Sequence, residues 1–425
     1  MTVQKKVLVI TYYWPPSGGP GVQRWLKFVK FLPEFGITPV VLTVRPENAE
    51  YPIIDESLNN EIAPDLKVYR TTSKGAYDWY KRITGKKTAP YSGFANEGNP
   101  SLIQKIARFI RGNFFLPDAR RGWIKYAFRE ASRLISQHGI QTIITTGPPH
   151  STHLTGLKLK KKYPVKWIAD FRDPWTSIYY NDFLYQTRLA KSIDLKNERR
   201  VVMKSDIILV AADRKSEFIK NHHQLDPEKI VFFPNGYDDL DFEGKTQIIP
   251  DVFTIRYIGT MAPSYPVHDL LKVLSECPFD FRLELIGQTS NVIEEMGKQL
   301  LGRKFKCLNF VPHKESINYM LSSSVLLLVI PQTADNRFIL PGKLFEYLIS
   351  GKQILALGPL ESTASKIIRE AGSGENFMYQ DKEGIRRFLN EQYQYWKDRS
   401  YADVNIHYIR QFSRKELTRQ LAEMI

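Results

Sequence analysis

An α/β protein made of two Rossmann-like, doubly wound domains facing a cleft is what the sequence predicts, and three observations carry that expectation. The chain has 425 residues, too many for one hydrophobic core and enough for two domains of roughly 200 residues each. Short Val- and Ile-rich runs alternate with helical patterns, the order that produces parallel sheets. That rhythm occurs twice, and the polar stretch 238–251 separates the two occurrences.

Residues 5–13 are a short apolar run and predict the first strand. Val22, Trp25, Leu26, Val29 and Leu32 then recur at helical spacing, with Gln23, Lys27 and Lys30 on the other face. Gly36 is placed to end that helix, and 37–44 is a second strand. Further strands are expected over 140–146, 165–171, 206–212 and 230–234. A second set is expected over 253–260, 281–287, 307–311, 325–330 and 353–358. The first domain is accordingly expected over 1–240, with an irregular insertion at 47–100 that lacks clear periodicity. The second is expected over 252–400, and a helix within 401–425 is expected to pack back on the first domain.

Sixty Lys and Arg face 45 Asp and Glu, a formal charge of +15, so the partners expected are anions: nucleotides, acidic lipid headgroups or nucleic acid. Abundant Tyr and Lys form no ordered, strand-borne aromatic platform, so nucleic acid is not expected. Cys277 and Cys307 are the only cysteines, without metal-ligand spacing, which fits a reducing compartment. Lys5 and Lys6 before an apolar stretch resemble a signal peptide faintly, but Pro15, Pro16 and the glycines interrupt it; a strand is the reading. No apolar run reaches the roughly 20 residues that span a bilayer. The expectation is a cytoplasmic protein at the inner face of a membrane. In "SLIQKIARFIRGNFF" apolar positions alternate with Lys105, Arg108 and Arg111. That pattern suits a helix lying on an acidic membrane or an ordinary surface helix packed by its apolar stripe on its own domain.

Two stretches carry the chemistry. In "YYWPPSGGPGVQRWLKF" the glycines Gly18, Gly19 and Gly21 stand between the first strand and the first helix. Backbone N–H groups there favour an anion, and a missing Cβ lets it come close; a plain turn is the alternative. The glycine spacing departs from the dinucleotide fingerprint. In "RFILPGKLFEYLISGKQILALG" Pro341 suits a first helical turn and Gly351 a helix end. Leu344, Phe345 and Leu348 form the buried stripe, while Lys343 and Glu346 share the opposite face. A lysine in a first turn opposes the helix dipole, as at a site built for an anion; a surface Lys–Glu pair is the alternative.

Taken in order, "PPSGGPGVQR", "TTGPPHSTHLTGLKLKKKYPVKWIADFRDPW", "FFPNGYD", "RYIGTM" and "PGKLFEYLISGK" resemble the GT-B-fold glycosyltransferases, close to the family 4 retaining enzymes that use nucleotide sugars. The resemblance spans nearly the whole chain. It implies a retaining, hexosyltransferase-type enzyme that moves sugar from a nucleotide-diphosphate donor to a glycan or lipid-linked acceptor, a polysaccharide intermediate, without a cofactor and without a metal. Glu346 would hydrogen-bond the donor ribose. Lys343, Gly342, Leu344 and Arg337 would line the diphosphate, with Gly18 and Gly19 facing it. His150, Asp170 and Arg172 would be the catalytic set, with His153, Asp173 and Trp175 on the acceptor side. In this reading the leaving phosphate takes the acceptor proton. The family's first glutamate falls at Phe338, and its basic pair should lie in "GTMAPSYPVHDL", which offers His268 but no Arg or Lys. An epimerase on the same fold and a non-catalytic anion binder are the alternatives.

Overall fold

The computed structural model describes residues 5–74, 101–222, 224–333, 336–400 and 403–425. It divides into two compact units, residues 1–234 with 417–425 and residues 235–416. The first holds a seven-stranded sheet: β1 (Lys5–Ile10), β2 (Ile37–Val44), β3 (Lys67–Thr71), β4 (Thr142–Gly147), β5 (Lys166–Phe171), β6 (Ile207–Val210) and β7 (Ile230–Phe232). Their order is β3-β2-β1-β4-β5-β6-β7, and every pairing is parallel. The chain therefore winds outward from β1 in both directions, with the reversal between β1 and β4. Ligands in open α/β sheets bind at such a reversal, beyond the carboxyl ends of the strands.

Successive residues of β1 face opposite sides of the sheet. Leu8 and Ile10 join a core with Leu42, Trp123, Ile143 and Trp167. Val7 and Val9 join another with Trp25, Phe28, Ile168 and Phe233. A parallel sheet covered on both faces needs this continuous apolar run, which is why the run was legible as a strand. Leu417 and Leu421 complete the second of these cores, and the Thr142 hydroxyl donates to the Ile425 carbonyl at 3.2 Å.

The second unit holds β8 (Thr254–Ile258), β9 (Arg282–Ile286), β10 (Phe305–Leu308), β11 (Val325–Val329), β12 (Gln353–Leu357) and β13 (Gly374–Phe377). Their order is β10-β9-β8-β11-β12-β13, again parallel throughout. One core of this unit surrounds Phe253, Tyr257, Leu285, Leu327 and Leu355.

Two expectations are corrected. The stretch 47–100 was expected to be irregular, yet Lys67–Thr71 is β3, in register with Val40–Val44; residues 75–100 lie outside the described residues. β3 sits at the sheet edge and is only partly buried, so it lacks the apolar run that marks its neighbours. β13 was not expected at all, for the same reason: its sequence is Gly-Glu-Asn-Phe, on the other sheet's edge. Gly374 enters that strand at φ 138°, and a Cβ there would meet the Ile354 carbonyl oxygen at 2.1 Å.

Candidate functional site

In the second unit the residues singled out from the sequence gather around the short helix Lys343–Ile349. Its position is fixed from the sheet, where the Ile258 N–H at the end of β8 donates to the Tyr347 hydroxyl at 3.0 Å. Lys343 reaches back over the same strand end. Its Nζ lies 3.8 Å from the centre of the Tyr257 ring and close against Gly259, where a Cβ would stand 2.7 Å from it. Gly259 has φ 131° and Gly287, after β9, has φ 122°. A Cβ on Gly287 would strike the Gly259 carbonyl oxygen at 2.6 Å, so only glycine lets the two strand-end loops touch. Their N–H groups continue the ladder: Gly259 donates to Ile286 at 2.8 Å and Met261 to Gln288 at 2.8 Å.

Among the described residues the Lys343 ammonium has no hydrogen-bond or ion-pair partner; the aromatic face is its neighbour. Burial pushes its proton affinity down to about 7, with Glu346 opposing. A half-buried cation with too little counter-charge holds its proton weakly, so an arriving anion would favour the charged form.

Glu346 lies one helical turn on. Burial raises its carboxyl above the ordinary range, against the pull of His313 and Arg414. The His313 Nε2 stands 3.9 Å from Glu346 Oε1 and 3.0 Å from Asp241 Oδ2, and the bond to Asp241 raises the histidine's proton affinity. Arg414 Nε donates to the Asn235 carbonyl at 3.2 Å, and the Asn235 amide stands 3.9 Å from where a Cβ on Gly342 would be. The turn 235–239 thus frames the helix start. Leu344 is fully buried, and its N–H is bonded to the Pro341 carbonyl; it is a core residue. Arg337 is exposed, with its guanidinium 4.7 Å over the ring of Phe338. Sequence reasoning missed His313, Asp241 and Arg414, because no local spacing links them.

In the first unit, Gly19 opens the helix Pro20–Phe31 at φ 102°, with nothing within 4 Å of a Cβ placed there. Gly18 instead packs on Ile53 and Asp55, which a Cβ would meet at 3.0 and 3.1 Å. Gly21 lies under the Arg172 guanidinium, and a Cβ there would stand 1.3 Å from Nη1, so the arginine would have to move aside. The guanidinium also pairs with Asp173 at 3.0 Å. Arg172 therefore lies against Gly21, at the start of the first helix.

Asp170 plays a different part from the one expected. It is fully buried and its oxygens accept from Arg24 Nη2 at 2.8 Å, Arg24 Nε at 3.2 Å, Trp25 Nε1 at 2.7 Å and the Thr146 hydroxyl at 2.9 Å. Arg24 also donates to the carbonyls of Phe233 and Pro234. With its oxygens taken by four donors and no contact with solvent, Asp170 is a positioning residue that ties the first helix to β5.

His150 and His153 are likewise interior. His150 stacks on Trp175 at 5.1 Å and donates from Nε2 to the Pro174 carbonyl. His153 stacks on Phe171 at 4.6 Å and bonds the Thr145 hydroxyl through Nδ1. Their remaining nitrogens are buried without a hydrogen-bond partner among the described residues, each 2.7 Å from the point a Gly147 Cβ would occupy. Burial lowers the proton affinity of both rings and so favours their neutral form. Trp175 is buried too and donates to Asp194 at 2.9 Å. Of the acceptor-side and catalytic residues expected here, Arg172 and Asp173 are the two with side chains reaching solvent. Among the described residues no group of three or more His, Cys, Asp or Glu is placed to hold a metal ion.

No family model matches the chain, and no curated protein sequence does. Solved structures match along the whole chain. The Anabaena protein Alr3699/HepE in complex with UDP is 12% identical over 99% of both chains, with a TM-score of 0.62. A glycosyltransferase from Rickettsia africae ESF-5 is 13% identical over 99% of this chain and 98% of that one, with a TM-score of 0.61. The lipopolysaccharide outer core galactosyltransferase WaaB in its apo form is 12% identical over 99% of both, with a TM-score of 0.59. At such identities the likeness is one of fold: two Rossmann-like units in the GT-B arrangement of strands and helices.

Proposed function

We propose that the protein is a glycosyltransferase that binds a nucleotide-diphosphate sugar at the carboxyl ends of β8 and β9 and moves the sugar to a lipid-linked or cell-surface polysaccharide acceptor. The observation that carries this reading is Lys343, an ammonium held beside two Cβ-less strand ends without an anionic partner among the described residues. A diphosphate is the anion whose charge and narrow profile fit that place. Glu346, half-buried and flanked by His313, is the acceptor for the ribose hydroxyls. Solved GT-B neighbours carry UDP and UDP-glucose, which makes UDP the first probe.

Transfer breaks the bond between the anomeric carbon and the diphosphate oxygen and forms one to the acceptor oxygen. The acceptor proton passes to the departing phosphate. Lys343 stabilises the charge that grows on that phosphate, where preorganised donors act most strongly. Arg172 and Asp173, on the surface they share with Gly21, are the acceptor-side groups in this reading, and retention of configuration is its stereochemical outcome.

Calorimetric titration with UDP tests it. Lys343→Met removes one charge-assisted contact and is expected to weaken binding by about tenfold or more, and Glu346→Gln by a similar factor. Lys343 should bind the diphosphate as a cation, while its proton affinity in the free protein stands at about 7. Bound protein then holds more protons than free protein above that pH. UDP affinity is therefore expected to be level below pH 7 and to fall as pH rises above it, by up to tenfold per unit. UDP affinity unchanged in both variants would remove the reading.

A further inference from the structure

The helix Leu102–Phe114 is packed inside out. Its inward positions are Ala107, Arg108 and Gly112, and Gly112 approaches so closely that a Cβ would meet the Leu184 carbonyl oxygen at 2.4 Å. Its apolar stripe points to solvent: Leu102 is 74% exposed, Ile103 59% and Ile106 50%. The expectation that this stripe packs on the domain is overturned by that small-residue contact.

The helix Arg188–Lys204 shows the same inversion. Asp194 and Glu198 are buried, while Leu189 is 72% exposed and Ile193 44%. The two helices are joined: Asn113 donates to the Tyr185 carbonyl at 3.2 Å and accepts from the Thr187 N–H at 2.8 Å. Phe183 and Tyr185, between them in sequence, are exposed as well. Exposed apolar side chains gathered on two adjoining elements mark a docking surface.

The charges say what docks. Both acidic residues of the second helix are turned inward, and the first helix has none. The exposed ionisable side chains of the pair, Lys105, Arg188, Lys191, Lys196, Arg199, Arg200 and Lys204, are all cationic. We infer that this face docks on a lipid bilayer with anionic headgroups, the leucines and isoleucines entering the acyl boundary and the lysines and arginines meeting the lipid phosphates. The inference is independent of sugar transfer.

Flotation of the full-length protein with vesicles tests it, using phosphatidylcholine alone against phosphatidylcholine with about 30% phosphatidylglycerol. Binding is expected to the anionic vesicles only. The triple substitution Leu102→Ser, Ile103→Ser, Ile106→Ser is expected to lower the partition coefficient by about tenfold or more. Lys191→Glu with Lys196→Glu, on the other helix, should lower it by about tenfold and remove most of its salt dependence. All five positions are exposed, and circular dichroism with UDP titration of the same variants confirms that the fold and the donor site are untouched. Equal flotation of wild type and both variants, or no flotation of the wild type, overturns the inference. So does a dimer in size exclusion that the serine variant dissolves, since the face would then belong to a second copy of the chain.

Discussion

Asp170 shows how one residue is read differently once its partners are known. In the sequence it opens an Asp-Phe-Arg-Asp stretch at the end of a strand, where a catalytic acid is a reasonable expectation. In the structure it neutralises Arg24, and both side chains are completely buried. Removing one partner of such a pair leaves an uncompensated charge in the interior, at a cost of about 3–5 kcal/mol. Asp170→Asn is therefore expected to lower stability by that amount in a denaturant titration, with the loss following the fold and not the rate. A variant of wild-type stability with abolished transfer would return Asp170 to catalysis. Arg24 lies 146 positions away, and nothing local in the sequence announces the pair. Arg172, two residues on, is the reverse case: its guanidinium is partly exposed and lies over Gly21, where the missing Cβ leaves room for it. The glycines of the opening stretch thus divide their work: Gly19 supplies a positive φ, and Gly18 and Gly21 supply space.

At the scale of elements, close approach is the recurring device. The helix Ser151–Lys162 lies flush on β5 because Gly156 has no Cβ, and one placed there would stand 2.5 Å from the Trp167 ring. Trp167 cannot withdraw, since it is fully buried and its indole N–H is bonded to the Thr145 hydroxyl at 2.9 Å. Gly156→Ala is expected to cost about 1–3 kcal/mol through overpacking, although alanine is the better helix former. A thermal melt at or above the wild-type midpoint would show that the helix can shift outward without penalty. The helices Leu102–Phe114 and Arg188–Lys204 make the related point that a period of 3.6 residues shows amphipathicity without showing which face is turned inward. The sequence made the first of them visible as a helix with an apolar stripe; Gly112 against Leu184 decided that the stripe faces out.

Across the molecule, the first unit carries a pH dependence that buried Asp194 imposes. Burial raises the carboxyl of Asp194 to about 7, against the hydrogen bond from Trp175. Its unfolded value is near 3.9, so between pH 4 and 7 the folded state holds a proton that the unfolded state has released. Stability is then highest below pH 4 as far as this group is concerned, falls as pH rises toward 7, and levels above it. Asp194→Asn keeps an oxygen for the Trp175 N–H and removes the titration. It is expected to raise the melting temperature at pH 8 and leave it nearly unchanged at pH 4. Equal shifts at both values would deny the buried proton.

The alternation of strands and helices, their doubling along 425 residues and the two glycine-bearing turns were all available from local pattern. A strand covered on both faces has to be apolar throughout, and a helix start that admits an anion has to lack side chains. Edge strands β3 and β13 escaped because half of each meets no core and nothing compels an apolar run. The assignment of work to single polar residues was settled by packing alone. Asp170, His150 and His153 became interior, Lys343 came to rest over Tyr257, and His313 and Arg414 arrived beside Glu346. A carboxylate or an imidazole takes its protonation and its role from whichever charges and donors surround it, and those come from parts of the chain that only folding brings near.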